Sequence, residues 1–152
     1  RIDEVMADAV ETITPAAAKR KIQIKLQTEE AWVRLEYDLF KTLLLNLMDN
    51  ALKSGTDAVL VQGSCENGQY KITITDRGRG IPPEDLEKIT EAFYMVDKSR
   101  SRKEHGAGLG LALAVKIAQL HHTTLSYRSQ PGQGTSVTFV LQKEADDEEE
   151  TD

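Results

Sequence analysis

"NLMDNALKS", residues 46–54, closes a segment that opens with "DLFKTLLL" at Asp38 and reads as one helix. A helix turns about 100° per residue, so Phe40, Leu43, Leu44, Leu47 and Ala51 fall on one apolar stripe that belongs against a sheet. Asn46, Asn50 and Lys53 share the strip beside it. Asparagine is a mediocre helix former, because its side chain competes for backbone hydrogen bonds. Two of them one turn apart read either as a solvated flank or as oxygen donors bordering a groove. Amide oxygens suit a magnesium ion that bridges phosphates, and an ammonium suits a phosphate oxygen directly. Asp38 is placed as the N-cap and Gly55 as the stop.

Outward from this helix, the chain alternates between two hydrophobic periods. Residues 2–20 carry Ile2, Val5, Ala9, Val10 and Ile13 at helical spacing, with Pro15 weakening the end. "IQIKLQ" (22–27) and "AWVRLEY" (31–37) alternate with period two and predict strands joined by the turn "TEE". "DAVLVQGSC" (57–65) and "QYKITITD" (69–76) predict a hairpin through "ENG". A helix is expected over 83–92, a long loop over 94–108 and an apolar helix over 109–122. "TTLSYRS" and "TSVTFVLQ" predict two last strands around "QPGQG". The order predicts an α+β, two-layer α/β sandwich: a mixed, mostly antiparallel sheet with helices on one face.

Composition narrows the function classes. The chain has 152 residues, 39% hydrophobic and 29% charged, as expected for one globular domain. Its net charge of −6 resides in the end: residues 144–152 hold seven acids and no bases, and the rest balances 18 acids with 19 bases. The division expected is a domain over 1–143 and an acidic, disordered tail over 144–152. Cys65 is the single cysteine, which excludes an internal disulfide and a thiolate metal cluster. No basic stripe with interleaved aromatics points to nucleic acid. No apolar run is long enough for a membrane span, and no signal peptide is visible. Arg1 in first place suggests a fragment excised from a longer protein.

Two glycine loops carry the chemistry. "DRGRGIPP" (76–83) puts Asp76 at the end of a strand, with Gly78 and Gly80 following. Glycines let backbone approach a flat ligand, and a carboxylate accepts from an exocyclic amine such as that of adenine. A tight turn with a surface Asp is the plain alternative. "GAGLGLALA" (106–114) exposes N–H groups at a helix start, which attracts phosphate. It follows a loop rather than a strand, unlike a Rossmann fingerprint, and it lacks the Walker lysine. Between the loops, Lys98, Arg100, Arg102 and Lys103 crowd a long aperiodic stretch, which suggests a lid over phosphates or a merely solvated loop.

In this order, these segments resemble the ATP-binding catalytic domain of sensor histidine kinases, within the superfamily shared with gyrase, Hsp90 chaperones and MutL. "NLMDNALKS" resembles the N box, "DRGRGIP" the G1 box, "EAFYMVDKS" the F box and "GAGLGLALA" the G2 box. "GQGTSVTFVL" (132–141) is similar to the closing strand. The resemblance implies a Bergerat-type sandwich with a long ATP lid. It also implies cofactors ATP and Mg²⁺, with Asn50 binding the metal, Asn46 near metal and phosphates, and Lys53 at the nucleotide. Asp76 would accept the adenine amine, with Gly78, Gly80 and Ile81 shaping the base pocket and Thr135 beside it. Gly106, Gly108 and Gly110 would hold phosphates, with Leu109 and Leu111 close to the nucleotide. Lys98, Arg100 and Arg102 fall in the lid, and Arg100 and Arg102 join Asn50 and Lys53 as catalytic groups. Phe93 and Tyr94 before basic residues favour histidine kinases over other superfamily members.

Three departures stand out. Ser54 replaces an aromatic after the N-box lysine. His122-Thr123-Thr124 stands for the usual His-Gly-Gly. No phosphoacceptor helix pair is present, and His105, His121 and His122 do not match its context; His121 and His122 read as helix-end residues suited to the C-terminal dipole. The resemblance thus implies γ-phosphoryl transfer from Mg·ATP to a histidine on a separate dimerisation domain, with a response regulator downstream. It implies a cytoplasmic domain, monomeric alone, of a homodimeric parent in the bacterial cell membrane. The rivals are an ATPase or anti-sigma-type serine kinase, and a non-catalytic nucleotide-binding module.

Overall fold

A computed structural model describes residues 1–78, 112–130 and 132–144. Its elements are α1 (Ile2–Lys19), β1 (Gln23–Thr28), α2 (Tyr37–Leu52), β2 (Ala58–Glu66), β3 (Gln69–Asp76), α3 (residues 112–120), β4 (Ser126–Gln130) and β5 (Gly134–Gln142). The five strands form one sheet in the order β1-β2-β3-β5-β4. β1 runs parallel to β2, and every other pairing is antiparallel. The mixed, mostly antiparallel sheet expected from the sequence is therefore present, with α2 as the crossover between its two parallel strands.

Period-two burial decides which face the helices cover. Val59 and Val61 of β2, Tyr70, Ile72 and Ile74 of β3, and Val137, Phe139 and Leu141 of β5 are buried. They form one core with Phe40, Leu43, Leu44, Leu47, Met48, Ala51 and Leu52 of α2, and with Ile2, Val5, Met6, Ala9, Ile13 and Ala17 of α1. Ala114 and Ile117 of α3 join the same core. Phe40 meets Phe139 edge-on, ring centroids 6.0 Å apart, a favoured aromatic geometry. The opposite face carries hydroxyl pairs instead: Thr73 with Thr138 at 3.3 Å, and Thr75 with Ser136 at 3.0 Å. Helices on one face, as expected, follow from this asymmetry.

Gly63 lies in the covered row of β2, and a Cβ there would collide with the Tyr70 ring. The glycine admits that ring, and the Tyr70 hydroxyl then donates to the Glu29 carbonyl at 2.7 Å. The β2–β3 turn is the hairpin expected: Asn67 (φ 48) and Gly68 (φ 80) are both left-handed, as a type I′ turn requires.

The strand expected over 31–37 is not one. The alternation is real, since Ala31 is buried while Trp32, Arg34 and Glu36 face out. No ladder forms, however. Ala31 O accepts only from the Ile2 N–H at 3.1 Å, and Trp32 O from the Glu144 N–H at 2.7 Å. The segment seals the sheet end in extended form, and α2 begins at Tyr37 with Glu36 as N-cap in place of Asp38. Glu144 is held to this segment by that bond and by Arg34 at 3.7 Å. The rest of the acidic tail lies outside the described residues.

α1 runs through Pro15 to Lys19, and α1 and α3 close by the same device. Ile22 N–H bonds Ala17 O and Lys21 N–H bonds Ala18 O; Thr123 N–H bonds Ala118 O and His122 N–H bonds Gln119 O. These are Schellman closures, which put one residue in the left-handed region. That residue is Lys21 (φ 59) in one and His122 (φ 61) in the other. The position that calls for glycine is thus His122 itself, ahead of Thr123 and Thr124. His121 is not a dipole-paired cation in this arrangement. Its Nδ1 meets Ile117 O at 2.9 Å while its Nε2 accepts the Glu36 N–H at 3.1 Å, which fits a neutral ring protonated on Nδ1.

Candidate functional site

Asp76 ends β3 on the covered face and is only 6% exposed. Its Oδ1 accepts the Gly78 N–H at 2.8 Å, a carboxylate turn that ends the strand. Burial pushes this carboxyl above its ordinary range, opposed by the Gly78 N–H, the Ser54 hydroxyl and the Thr135 N–H. The Asp76 carboxylate remains an acceptor with lone pairs beyond those donors.

The chain end of α2 packs directly against this turn. A Cβ at Gly78 would collide with Ser54, so the glycine is what lets the two loops meet. Thr56 locks them. Its hydroxyl donates to Ala58 O at 2.6 Å and accepts the Arg77 N–H at 2.9 Å. Arg77 also pairs with Asp57 at 3.2 Å. One turn back along α2, Asn46 and Asn50 are half-buried on the helix border, as the 100° spacing requires. Lys53 is the α2 C-cap, and its ammonium lies 3.0 Å from Asp49.

Thr135 completes the corner from β5. It pairs across the sheet with Asp76, and its hydroxyl lies 2.9 Å from that of Ser129. Gly134 next to it has φ 102, and a Cβ there would strike the Asp76 and Arg77 backbone. The fold thus brings Lys53, Asp76, Gly78 and Thr135 to one end of the sheet, with Asn46 and Asn50 on the α2 turns leading there. Gly80, Ile81, Phe93, Tyr94, Lys98, Arg100, Arg102, Gly106, Gly108, Leu109, Gly110 and Leu111 lie outside the described residues.

Residues 36–145 match the family of histidine kinase-, DNA gyrase B-, and HSP90-like ATPases. The chain belongs to that family. Within this ATPase family, it is 36% identical over 138 residues to the sensor histidine kinase YkoH of Bacillus subtilis, covering 91% of this chain and 30% of that one. The mycobacterial sensor histidine kinase MprB has a similar structure, with a TM-score of 0.78 at 25% identity over 93% of this chain and 94% of that one. Full-length ShkA in complex with AMPPNP superimposes with a TM-score of 0.78 at 25% identity, over 94% of this chain and 30% of that one. The chain spans between 21% and 40% of the lengths of YkoH and two further sensor kinase relatives. Among the described residues, no helix is long and apolar enough to cross a membrane.

Thr56 and Ser129 escaped the sequence reading as members of this corner, and Ser54 entered it only as a departure from the N-box pattern. Small hydroxyl residues carry no periodic signal. Thr56 after Gly55 did offer a cue, since a hydroxyl just past a helix stop often ties the next turn.

Proposed function

We propose that the chain binds Mg·ATP and donates the γ-phosphoryl group to a histidine on a separate dimerisation domain of a parent sensor kinase. The carrying observation is the buried Asp76 carboxylate, which accepts the Gly78 N–H at the end of β3 beside the α2 border. A buried acceptor of this kind reads the amine of an adenine ring. The likeness to YkoH, MprB and nucleotide-bound ShkA supports the reading.

The α2 border fits the metal that accompanies ATP. Among the described residues there is no cluster of three His, Cys, Asp or Glu groups. Magnesium bound with a nucleotide needs none, because phosphates and waters supply most of its oxygens. The Asn50 amide oxygen, with Asn46 one turn back, would hold the ion, which when bound neutralises phosphate charge. Lys53 would exchange its Asp49 contact for a phosphate oxygen. Gly106, Gly108 and Gly110 would offer N–H groups to the phosphates, with Leu109 and Leu111 alongside. Lys98, Arg100 and Arg102 would close over them, and Gly80 and Ile81 would line the base. Catalysis is then positioning and charge neutralisation, as phosphoryl transfer requires. A response regulator would take the phosphoryl group onward, and the domain would sit on the cytoplasmic side of a membrane-anchored homodimer.

The test mixes the chain with a histidine-bearing dimerisation domain and Mg·ATP. Phosphohistidine on the added domain is the expected product, and Asn50→Ala should abolish it. Phosphoserine or free phosphate in its place would support a serine kinase or an ATPase, and no turnover would support a regulatory module.

A further inference from the structure

On the covered face of the sheet, Asp76, Thr135 and Ser129 form one cross-strand row. The Ser129 hydroxyl makes two contacts that matter. It lies 3.0 Å from the Gly134 carbonyl oxygen and 2.9 Å from the Thr135 hydroxyl. A carbonyl can only accept, so Ser129 gives its one proton to Gly134. The second contact then requires Thr135 to donate to Ser129. The Thr135 proton is thereby directed along the row toward β4, away from Asp76. What Thr135 keeps for its other side is lone pairs.

Two acceptors therefore stand side by side in the row, the Asp76 carboxylate and the Thr135 oxygen. Asp76 alone is a poor judge of purines. A 6-amino purine offers it an amine N–H, but a 6-oxo purine offers it a ring N1–H. The second acceptor breaks the tie, because a 6-oxo group brought near it sets lone pair against lone pair. Sites with fixed hydrogen-bond polarity reject the wrong partner strongly, since the buried groups are left unpaired.

Resting on the ATP site proposed above, we propose that Ser129 is a specificity residue. By taking the Thr135 proton, it fixes Thr135 as an acceptor, and the row then selects a 6-amino over a 6-oxo purine nucleotide. Ser129 acts through Thr135 and needs no contact with the base. Removing its hydroxyl frees Thr135 to turn and donate to a 6-oxo group.

The experiment titrates ATP and inosine triphosphate, which differ only at purine position 6 and the N1 proton, into the parent, Ser129→Ala and Ser129→Thr by calorimetry. The parent should prefer ATP by about tenfold or more. Ser129→Ala should cut that preference by about threefold or more, and Ser129→Thr, which keeps the hydroxyl, should hold it. A mere brace of the hairpin would weaken both nucleotides in parallel and leave their ratio alone. If the alanine variant does not fold, Ser129→Cys carries the same expectation, because sulfur is a weak hydrogen-bonding group. A parent that binds neither nucleotide removes the ATP site itself. A parent that binds both alike, or a Ser129→Ala that keeps the parent ratio, removes the role of Ser129 and leaves ATP binding standing.

Discussion

The two ends of β3 present the same burial pattern and opposite chemistry. Tyr70, Ile72, Ile74 and Asp76 share one covered row, capped by a polar group at each end. At the Tyr70 end the account is closed. The phenol is pushed up to about 12 by burial, stays protonated, and spends its single proton on the Glu29 carbonyl. Gly63 gives its ring room, so nothing there awaits a partner. At the Asp76 end a carboxyl is buried at some cost and offers more lone pairs than the donors around it use. Burial with complete pairing stabilises a fold, and burial with a surplus acceptor prepares a site.

The largest effect expected on this contrast belongs to Tyr70→Ala. Removing the ring leaves a cavity and an unpaired carbonyl, at a cost of about 3–5 kcal/mol in a urea melt. Nucleotide affinity per folded molecule should stay at the parent value, because the loss is at the closed end. A variant that folds well but loses ATP would show that the two ends are coupled.

Asp76→Asn should do the reverse. An amide can present a donor where an acceptor is needed, so ATP affinity in calorimetry should fall by about 2–3 kcal/mol. Stability at neutral pH should not fall, since the variant no longer buries a charge. The sign follows from the raised carboxyl of the parent. When the folded group binds protons more tightly than the unfolded one, stability declines as pH rises. The parent should thus lose stability with rising pH through the window just above the ordinary carboxylate range, while its ATP affinity rises through the same window. Urea melts and titrations across that window should show both slopes, and Asp76→Asn should flatten them. A parent whose stability rises there would place the buried charge elsewhere.

The smallest effect compares the two left-handed closures, Lys21 beside the strand ends nearest Asp76 and His122 beside the α2 start. Glycine relieves the Cβ clash of that backbone, and this outweighs the entropy it adds to the unfolded chain, so Lys21→Gly and His122→Gly should each stabilise by about 0.5 kcal/mol. Thermal melts should show equal gains with ATP affinity unchanged. Unequal gains would mean that strain is stored at one end only.

The legible parts of the molecule are those with a repeating signal. α2 was readable from Phe40 to Ala51 because its stripe keeps the helical period, and "QYKITITD" matches β3 residue for residue. Asp76 could be singled out because it ends an alternating strand just before Gly78 and Gly80, although a plain turn with a surface Asp reads the same way. "AWVRLEY" misled because extended backbone with one face inward looks the same whether or not a neighbour supplies a ladder. The parallel pairing of β1 with β2 left no local mark either. Thr56 and Ser129 stayed hidden for a related reason, as did the contact of Ser54 with Gly78. Their value lies in which carbonyl or hydroxyl they reach across the fold, and no local pattern records that.

The strand order has one more consequence. Among the described strands, β5 comes last in sequence yet lies inside the sheet, between β3 and β4. While the polypeptide emerges from the ribosome, β3 keeps an open edge and β4 has no neighbour to hold it. Both must wait for β5, so the corner that joins Asp76 to Thr135 cannot exist before β5 is made. A chain interrupted before β5 would leave a half-built sheet with an unpaired edge exposed, the kind of species that aggregates.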